Sequence, residues 1–541
     1  MQDGSARRRL APLALALLGT LSAYLAQSPR AQAQAFADHA SALVDYTQAQ
    51  TEPHKPCEAL GQFKTRDLVS IQAAAVASDA ASSAYCRITG TLAPEIAFEV
   101  SLPERWNGRF YMIGNGGLAG EALDDPGRIA QRNSALQMGF AFAQTNTGHD
   151  ARKEPGGTFV LSNPQKAIDY AYRAVHLTAI TAKRLTTAYY SRPVTRSYWN
   201  SCSNGGRQGL IEAQRYPQDF DGLVVNAPWT DPTGFTIAAM WNQKALSAAP
   251  LTPAKLALVG QKVMARCDAL DGLADGQIDD PRKCDFDAHR DVPACPEGTD
   301  GGDCLTSAQA EAVMKIYSGP QAGGKTLFPG YMPGSEAVVP AGFGSAAPAS
   351  AWLRFIVPLQ PDGKGADFEL GENIMRYLVH VPPQPGYDYQ TFDFERDGHM
   401  LDAWARQANA TQTDLSRFRA RGGKLLMTYG WADQILQPLM GVHYYEQAVA
   451  RNGPHTTDFL RLFMVPGMTH CSGGNGTDRF DPMTAMIDWV ERGQAPEQLR
   501  ATHVTNNQVV RSRPLCPYPQ VARYTGHGSI DEAASFRCAK P

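Results

Sequence analysis

The stretch Trp199-Asn200-Ser201-Cys202-Ser203-Asn204-Gly205-Gly206-Arg207 joins an apolar run at 197–200 to a segment of helical character that continues to Tyr216. Where a strand turns at once into a helix, the chain makes a tight corner that lifts one residue clear of the sheet's carboxyl edge. Small residues two before and two after that corner relieve the crowding. Ser201 and Gly205 flank Ser203 in this way, with a serine where glycine is commoner. Ser203 is thereby a candidate nucleophile, while a glycine-rich loop with an incidental serine stays open on this stretch alone.

Upstream, residues 98–102 (FEVSL) and 109–113 (RFYMI) read as strands, the second ending in Gly114-Asn115-Gly116-Gly117. A strand near 140–144 and a helical stretch over 164–189 follow, and 222–225 is a further short apolar strand. The alternation breaks after about Pro228, where Gly, Pro, Asp and four cysteines accumulate. From Gly423 it returns: 424–429 (KLLMTY) and 459–465 (FLRLFMV) read as strands, 441–450 and 483–492 as helices. Strands alternating with helices predict a mostly parallel sheet covered on both faces. The expected fold class is α/β, an α/β-hydrolase core with a large inserted lid. The expected organisation is a leader over 1–35, a first core part over 36–229, a lid over 230–410 and a second core part over 411–541.

A serine hydroxyl is a weak nucleophile near neutral pH and needs a base that is itself oriented by a carboxylate. In this fold the partners follow the serine as an acid and then a histidine, each just beyond a later strand. Asp433 lies past KLLMTY in Gly430-Trp431-Ala432-Asp433, and His470 lies past FLRLFMV in Pro466-Gly467-Met468-Thr469-His470. Taken singly, Asp433 reads equally as a loop-capping aspartate and His470 as a packed histidine. Their order and placement after the right strands make Ser203, Asp433 and His470 the predicted catalytic set. The backbone N–H of Asn204 is a candidate oxyanion donor, and Gly114 is either a second donor or a structural turn.

A chain of 541 residues exceeds what one hydrophobic core usually organises. With 43% hydrophobic and 19% charged residues it reads as globular, and a net charge of -3 gives no case for a nucleic-acid partner. Arg7, Arg8 and Arg9, an apolar run over 10–26 and the small residues Ala31, Ala33 and Ala35 have the order of a secretory leader. Cleavage is expected near Ala33 or Ala35, with a membrane anchor as the alternative; Ser22 and Gln27 interrupt the run. The expected location is secreted or periplasmic, with no membrane association after cleavage.

Ten cysteines in an exported chain should pair. Cys57–Cys86, Cys267–Cys284, Cys295–Cys304 and Cys516–Cys538 close short loops, which leaves Cys202 and Cys471 far apart in sequence. If these two bond, the bridge joins the nucleophile's corner directly to the base's loop. No C-x-x-C pair supports zinc. Within the lid, Cys267-Asp268-Ala269-Leu270-Asp271-Gly272-Leu273-Ala274-Asp275-Gly276-Gln277 gathers three aspartates among turn-permitting glycines, a composition that suits either calcium or a solvated acidic loop.

The paired Cys-Ser and His-Cys steps, with FYMIGNGG, CSNGGRQG, FDGLVVNAP, CDALDGLADG, VPGMTHCSGG and RPLCPYPQVARY, resemble the tannase and feruloyl esterase family of secreted α/β-hydrolases. The resemblance runs from about Cys57 to Cys538. It implies a triad of Ser203, Asp433 and His470, oxyanion amides at Gly114 and Asn204, and a Cys202–Cys471 bond beside the active site. It further implies a structural calcium ion in the lid, held by Asp268, Asp271 and Asp275 with the carbonyls of Leu273 and Gln277.

The implied activity is hydrolysis of small esters of hydroxycinnamic or gallic type acids through an acyl-enzyme. The alternative is the family's mono(2-hydroxyethyl) terephthalate hydrolase branch, whose C-terminal segment this chain shares closely. That branch grips the substrate's free carboxylate with a lid arginine. The lid over 343–381 departs from its pattern, with Arg354, Lys364 and Arg376 none in that position. Trp352, Tyr429 and Leu436 are the expected walls for an aromatic acyl group. The contrasting class is a secreted binding protein without catalysis, against which the intact serine, aspartate and histidine stand.

Overall fold

Strands β1 (Leu68–Val76), β2 (Tyr85–Leu92), β3 (Ile96–Pro103), β4 (Arg109–Met112), β5 (Ala141–Thr145), β6 (Arg196–Cys202), β7 (Gly222–Asn226), β8 (Lys424–Gly430) and β9 (Leu460–Val465) build one sheet. Their order is β1-β2-β3-β5-β4-β6-β7-β8-β9. These strands come from a computed structural model that describes residues 35–48, 51–80, 82–336, 338–339, 349–360 and 363–541. The expected leader, apart from Ala35, lies outside the described residues. Every neighbouring pair from β5 to β9 runs parallel, while β1, β2 and β3 extend the sheet in antiparallel fashion. The sheet is therefore mostly parallel, with an antiparallel edge.

Side chains alternate between two apolar layers, as a strand's period of two requires. Trp199, Leu223 and Leu425 face one layer, while Tyr198, Val224 and Leu426 face the other. Helix α1 (Pro126–Gln137) follows β4, α2 (Ala174–Tyr190) precedes β6, and α3 (Asn204–Arg215) follows it. The apolar faces of α2 and α3 enter the first layer.

The lid, where no strand-helix alternation is visible in the sequence, holds helices α4 (Pro232–Ala248), α5 (Pro253–Cys267), α6 (Ser307–Ser318), α7 (Ala366–Asn373) and α8 (Asp402–Ala408) among longer irregular segments. Phe235 and Met240 of α4 enter the main core. Val259 and Val263 of α5 and Val313 and Ile316 of α6 belong to a core of the lid's own. Beyond it, α9 (Pro438–Asn452) covers the first layer and α10 (Pro482–Arg492) the second. Two hairpins close the chain, β10 (Leu499–Thr505) with β11 (Gln508–Leu515) and β12 (Val521–Tyr524) with β13 (Phe536–Ala539).

The cysteines form five bonds: Cys57–Cys86, Cys202–Cys471, Cys267–Cys284, Cys295–Cys304 and Cys516–Cys538. Among the described residues no helix is long and apolar enough to cross a membrane.

Candidate active site

Because β6 ends at Cys202 and α3 begins at Asn204, Ser203 alone forms the corner, with φ 62° and ψ -127°. Such a conformation costs a non-glycine residue about 1–3 kcal/mol and persists only when its surroundings dictate it. Here the Ser203 N–H donates to the Asn226 carbonyl at 3.0 Å, and the Ser203 carbonyl accepts from the N–H groups of Arg207 at 3.0 Å and Trp229 at 3.1 Å. The helix can start so abruptly because Gly205 is bare: a Cβ there would lie 2.0 Å from Ser201 Oγ. Ser201 is thus tolerated in the first small position because its partner across the corner has no side chain.

Parallel pairing of β6, β7, β8 and β9 brings the loops that follow them to one edge of the sheet. The loops after β8 and β9 are joined by backbone and side-chain bonds. The Ala432 N–H donates to the Met468 carbonyl at 3.1 Å, and the His470 N–H donates to Gln434 Oε1 at 3.1 Å. Asp433 is fully buried, and its Oδ1 accepts from the N–H groups of Ile435 and Leu436 at 2.9 and 2.8 Å. Its Oδ2 lies 2.8 Å from His470 Nδ1. With Nδ1 held by a carboxylate, Nε2 is the nitrogen left to exchange a proton.

The Cys202–Cys471 bond, with Cα atoms 5.9 Å apart, ties the corner to the histidine loop. A ring nitrogen of His470 lies within 4.8 Å of both sulfurs, which are spent in the disulfide and are no thiolate ligands for a metal. No hydrogen bond joins Ser203 Oγ to His470 among the described residues; the side-chain partner of His470 is Asp433. Ser203 and His470 keep 8% and 9% of their surface exposed, so neither is sealed in the core.

In the loop after β4, Gln208 Oε1 takes the Asn115 N–H at 3.0 Å and Glu121 Oε1 takes the Gly116 N–H at 3.0 Å. Arg128 donates to the Gly114 carbonyl at 3.1 Å, which fixes that peptide. The N–H groups of Gly114 and Gly117 have no partner among the described residues. The Asn204 N–H sits in the first turn of α3, where a helix leaves its donors unpaired.

In the acidic loop of the lid, Asp268 accepts from the N–H groups of Asp275, Gly276 and Gln277 at 3.2, 3.0 and 3.1 Å, and Asp271 accepts from the Leu273 N–H at 2.9 Å. Asp275 pairs with Arg513 at 2.7 Å. Asp279, which the sequence reading did not single out, joins this group; burial, then the charges of Asp271 and Asp275, push its carboxyl up to about 7. A small cleft of about 40 Å³ is lined by residues that include Asp271, Leu273, Asp275, Gln277 and Asp279, and its lining includes none of Ser203, Asp433 or His470. No three of these carboxylates bring oxygens within 4.8 Å of one another. The side chain of Asn475 donates to the Gly276 carbonyl, so the acidic loop touches the loop that carries His470.

A family model described as tannase and feruloyl esterase matches residues 80–539. The chain belongs to the tannase and feruloyl esterase family. It is 34% identical over 529 residues to the mono(2-hydroxyethyl) terephthalate hydrolase of Piscinibacter sakaiensis, covering 87% of each chain. It is 32% identical over 457 residues to a probable feruloyl esterase of Arthroderma benhamiae, covering 81% of each. The solved structure of feruloyl esterase B from Aspergillus oryzae superposes with a TM-score of 0.75 at 28% identity, over 89% of this chain and 99% of that one. As a member of this family the chain is a carboxylic ester hydrolase.

Within this esterase, Trp352 corrects an expectation. It is not presented to a substrate at Ser203 but buried in the lid's own core, its ring 5.3 Å from that of Tyr317 and its N–H on Ser335 Oγ at 2.9 Å. An indole fills a helical core better than it stands exposed, and sequence alone does not say which core. Tyr429 and Leu436 do lie beside Asp433, but both are buried, and Leu436 contributes its N–H to that carboxylate. Burial and then the Asp433 charge hold the Tyr429 hydroxyl well above the usual tyrosine range.

Arg207, in the quoted motif but unassigned there, is fully buried. It donates to Asn204 Oδ1 at 2.7 Å and to the carbonyls of Ala171, Ala408 and Tyr170 at 2.9, 2.9 and 3.2 Å. It thus binds α3 to the turn before α2 and to the end of α8. Its spacing of four from Ser203, one helical turn, was the available signal.

Proposed function

We propose that Ser203, His470 and Asp433 are the catalytic triad of an esterase that acts on esters of aromatic acids through an acyl-enzyme. One observation carries this reading: a carboxylate-held imidazole and a strained serine corner share one sheet edge and are joined by the Cys202–Cys471 bond. His470 accepts the proton of Ser203 Oγ as the oxygen attacks the ester carbonyl, while Asp433 stabilises the imidazolium. The N–H of Asn204 and that of Gly114 receive the oxyanion. The proton passes to the leaving alcohol, and water, deprotonated by the same histidine, releases the acid and restores Ser203.

Aromatic acids are supported as the acyl class by family membership. Hydroxycinnamate or gallate esters are favoured over a terephthalate monoester by the state of the lid cations. Lys364 and Arg376 both pair with Glu372, at 2.6 and 2.8 Å, and Arg354 is itself engaged. The terephthalate reading has its own support in the 34% identity to the hydrolase from Piscinibacter sakaiensis. Turnover of methyl ferulate, methyl gallate and mono(2-hydroxyethyl) terephthalate separates the two. Ser203→Ala should abolish all three activities; activity near that of the parent would sink the triad, and a terephthalate rate far above the others would reverse the preference.

The acidic lid loop fits a hard cation in its donor set: carboxylates of Asp268, Asp271 and Asp275, backbone oxygens of Leu273 and Gln277, and Asp279 close by. In this reading calcium would neutralise the loop and so steady the loop of His470 through Asn475. The disulfides agree with export to an oxidising compartment.

A further inference from the structure

Away from the catalytic edge, His176 on α2, Glu212 on α3 and Asp219 between α3 and β7 bring a ring nitrogen and two carboxylate oxygens within 4.8 Å of one another. His176 Nδ1 lies 2.6 Å from Asp219 Oδ2. Glu212 is 1% exposed, and among the described residues its carboxylate oxygens meet no N–H or O–H donor; the group within reach is the carboxyl of Asp219, with which a proton would have to be shared. A carboxylate buried without donors must be neutralised, by a proton or by a cation. The nearest ammonium, Lys183, feels the charges of Asp219 and Glu212 but reaches neither carboxylate with a hydrogen bond: it donates to the main-chain carbonyl of Asp219 and faces the rings of Phe110 and Phe220, while Arg421 pairs with Asp221.

We propose that His176, Glu212 and Asp219 bind a first-row divalent transition metal, zinc being the best match, which braces the far end of the nucleophile's helix. One imidazole with two carboxylates is a donor set zinc accepts, whereas the acidic loop of the lid offers oxygen alone and suits calcium. The His176 ring is stacked on Tyr216 at 3.8 Å, which fixes its orientation, and its side chain is 26% exposed, which gives an ion a way in from solvent. Zinc bonds of about 2.0–2.2 Å need the histidine nitrogen and the Asp219 oxygen to part slightly, within reach of a small side-chain rotation. Glu212 lies eight residues beyond Asn204 along α3, about 12 Å from the oxyanion donor, so the ion takes no part in the ester chemistry. A single proton shared by Glu212 and Asp219 is the competing state, which zinc must displace.

The test uses the full chain, stripped with EDTA, returned to saturating calcium and then given zinc chloride. After desalting, elemental analysis should find one zinc per chain, and zinc should raise Tm by about 3 °C or more above the calcium-loaded value. Glu212→Gln and His176→Phe should each lose the bound zinc and the zinc-dependent rise. His176→Phe preserves the stack on Tyr216 and should hydrolyse ester at the parent rate, so it stands if Glu212→Gln fails to fold. Parent protein that retains no zinc overturns the proposal in favour of the shared proton. Equal zinc in parent and His176→Phe overturns it in favour of adventitious binding elsewhere.

Discussion

His149 follows β5 with 1% of its surface exposed, its ring stacked on Phe159 at 4.1 Å and neither ring nitrogen hydrogen-bonded. Burial, assisted by the charge of Lys166, pulls its pKa down from 6.5 to about 4. The unfolded chain therefore binds this proton more readily than the folded one. The stability His149 confers is complete above pH 6.5, falls as the pH drops from there, and is lost once it passes about 4. Between pH 7 and pH 5 the parent should lose about 2 kcal/mol more than His149→Leu, in urea unfolding at both pH values. Equal losses would show that the ring charges without penalty. Ser203, Asp433 and His470 were legible in the sequence because each stands just past an apolar strand, where order in the chain becomes proximity at a sheet edge. His149 was not, because burial without a charged partner is a property of packing and leaves no local pattern, and Arg207 offered only its spacing of one helical turn from Ser203.

Among elements, the meeting of the loops after β8 and β9 rests on Gly430. A Cβ there would lie 2.2 Å from the Met468 carbonyl oxygen and 3.0 Å from that of Thr469. Gly430→Ala must therefore push apart the segments that hold Asp433 and His470. Misplacement near 1 Å costs about a hundredfold in rate, so kcat should fall on that order while KM changes little. A kcat within twofold of the parent, in a variant that melts normally, would mean the loops yield without disturbing the Asp433–His470 bond. The core strands on either side were readable because β4, β7, β8 and β9 are largely apolar runs and β6 carries the apolar pair Tyr198-Trp199 into the glycine-rich corner. By contrast β1 (LVSIQAAAV) is half-exposed throughout and carries alanines, a weak signal for a strand. The lid helices hid among glycines and prolines, yet their starts were written in the sequence. Asp231 and Thr252 cap α4 and α5 just before a proline, and Thr306 with Gln309 forms a capping box at α6.

At the scale of the whole molecule, the sheet edge, the lid and the terminal hairpins converge on the loop of His470. That loop is bonded to the corner of Ser203 through Cys471, and through Asn475 it touches the acidic lid loop. If the lid loop holds calcium as proposed, chelation with EDTA should lower Tm, with recovery on adding calcium; a melt indifferent to both would overturn that proposal. The disulfide makes the sharper case. Cys202 and Cys471 are 269 residues apart, and on the chain-entropy model closing so long a loop stabilises the fold by about 5 kcal/mol, an upper figure since measured losses run from about 2. Cys295–Cys304 spans only 9 residues, and its removal should cost less. Stability alone would make the two bonds differ in degree. The position of Cys202–Cys471 makes them differ in kind, because of the two bonds it is the one that joins the corner of Ser203 to the loop of His470, the proposed nucleophile and base. Well below either melting temperature, Cys202→Ala/Cys471→Ala should lose kcat at least tenfold, whereas Cys295→Ala/Cys304→Ala should retain it. If both pairs keep full kcat while folded, the bond beside Ser203 serves the fold and not the alignment of the proposed triad.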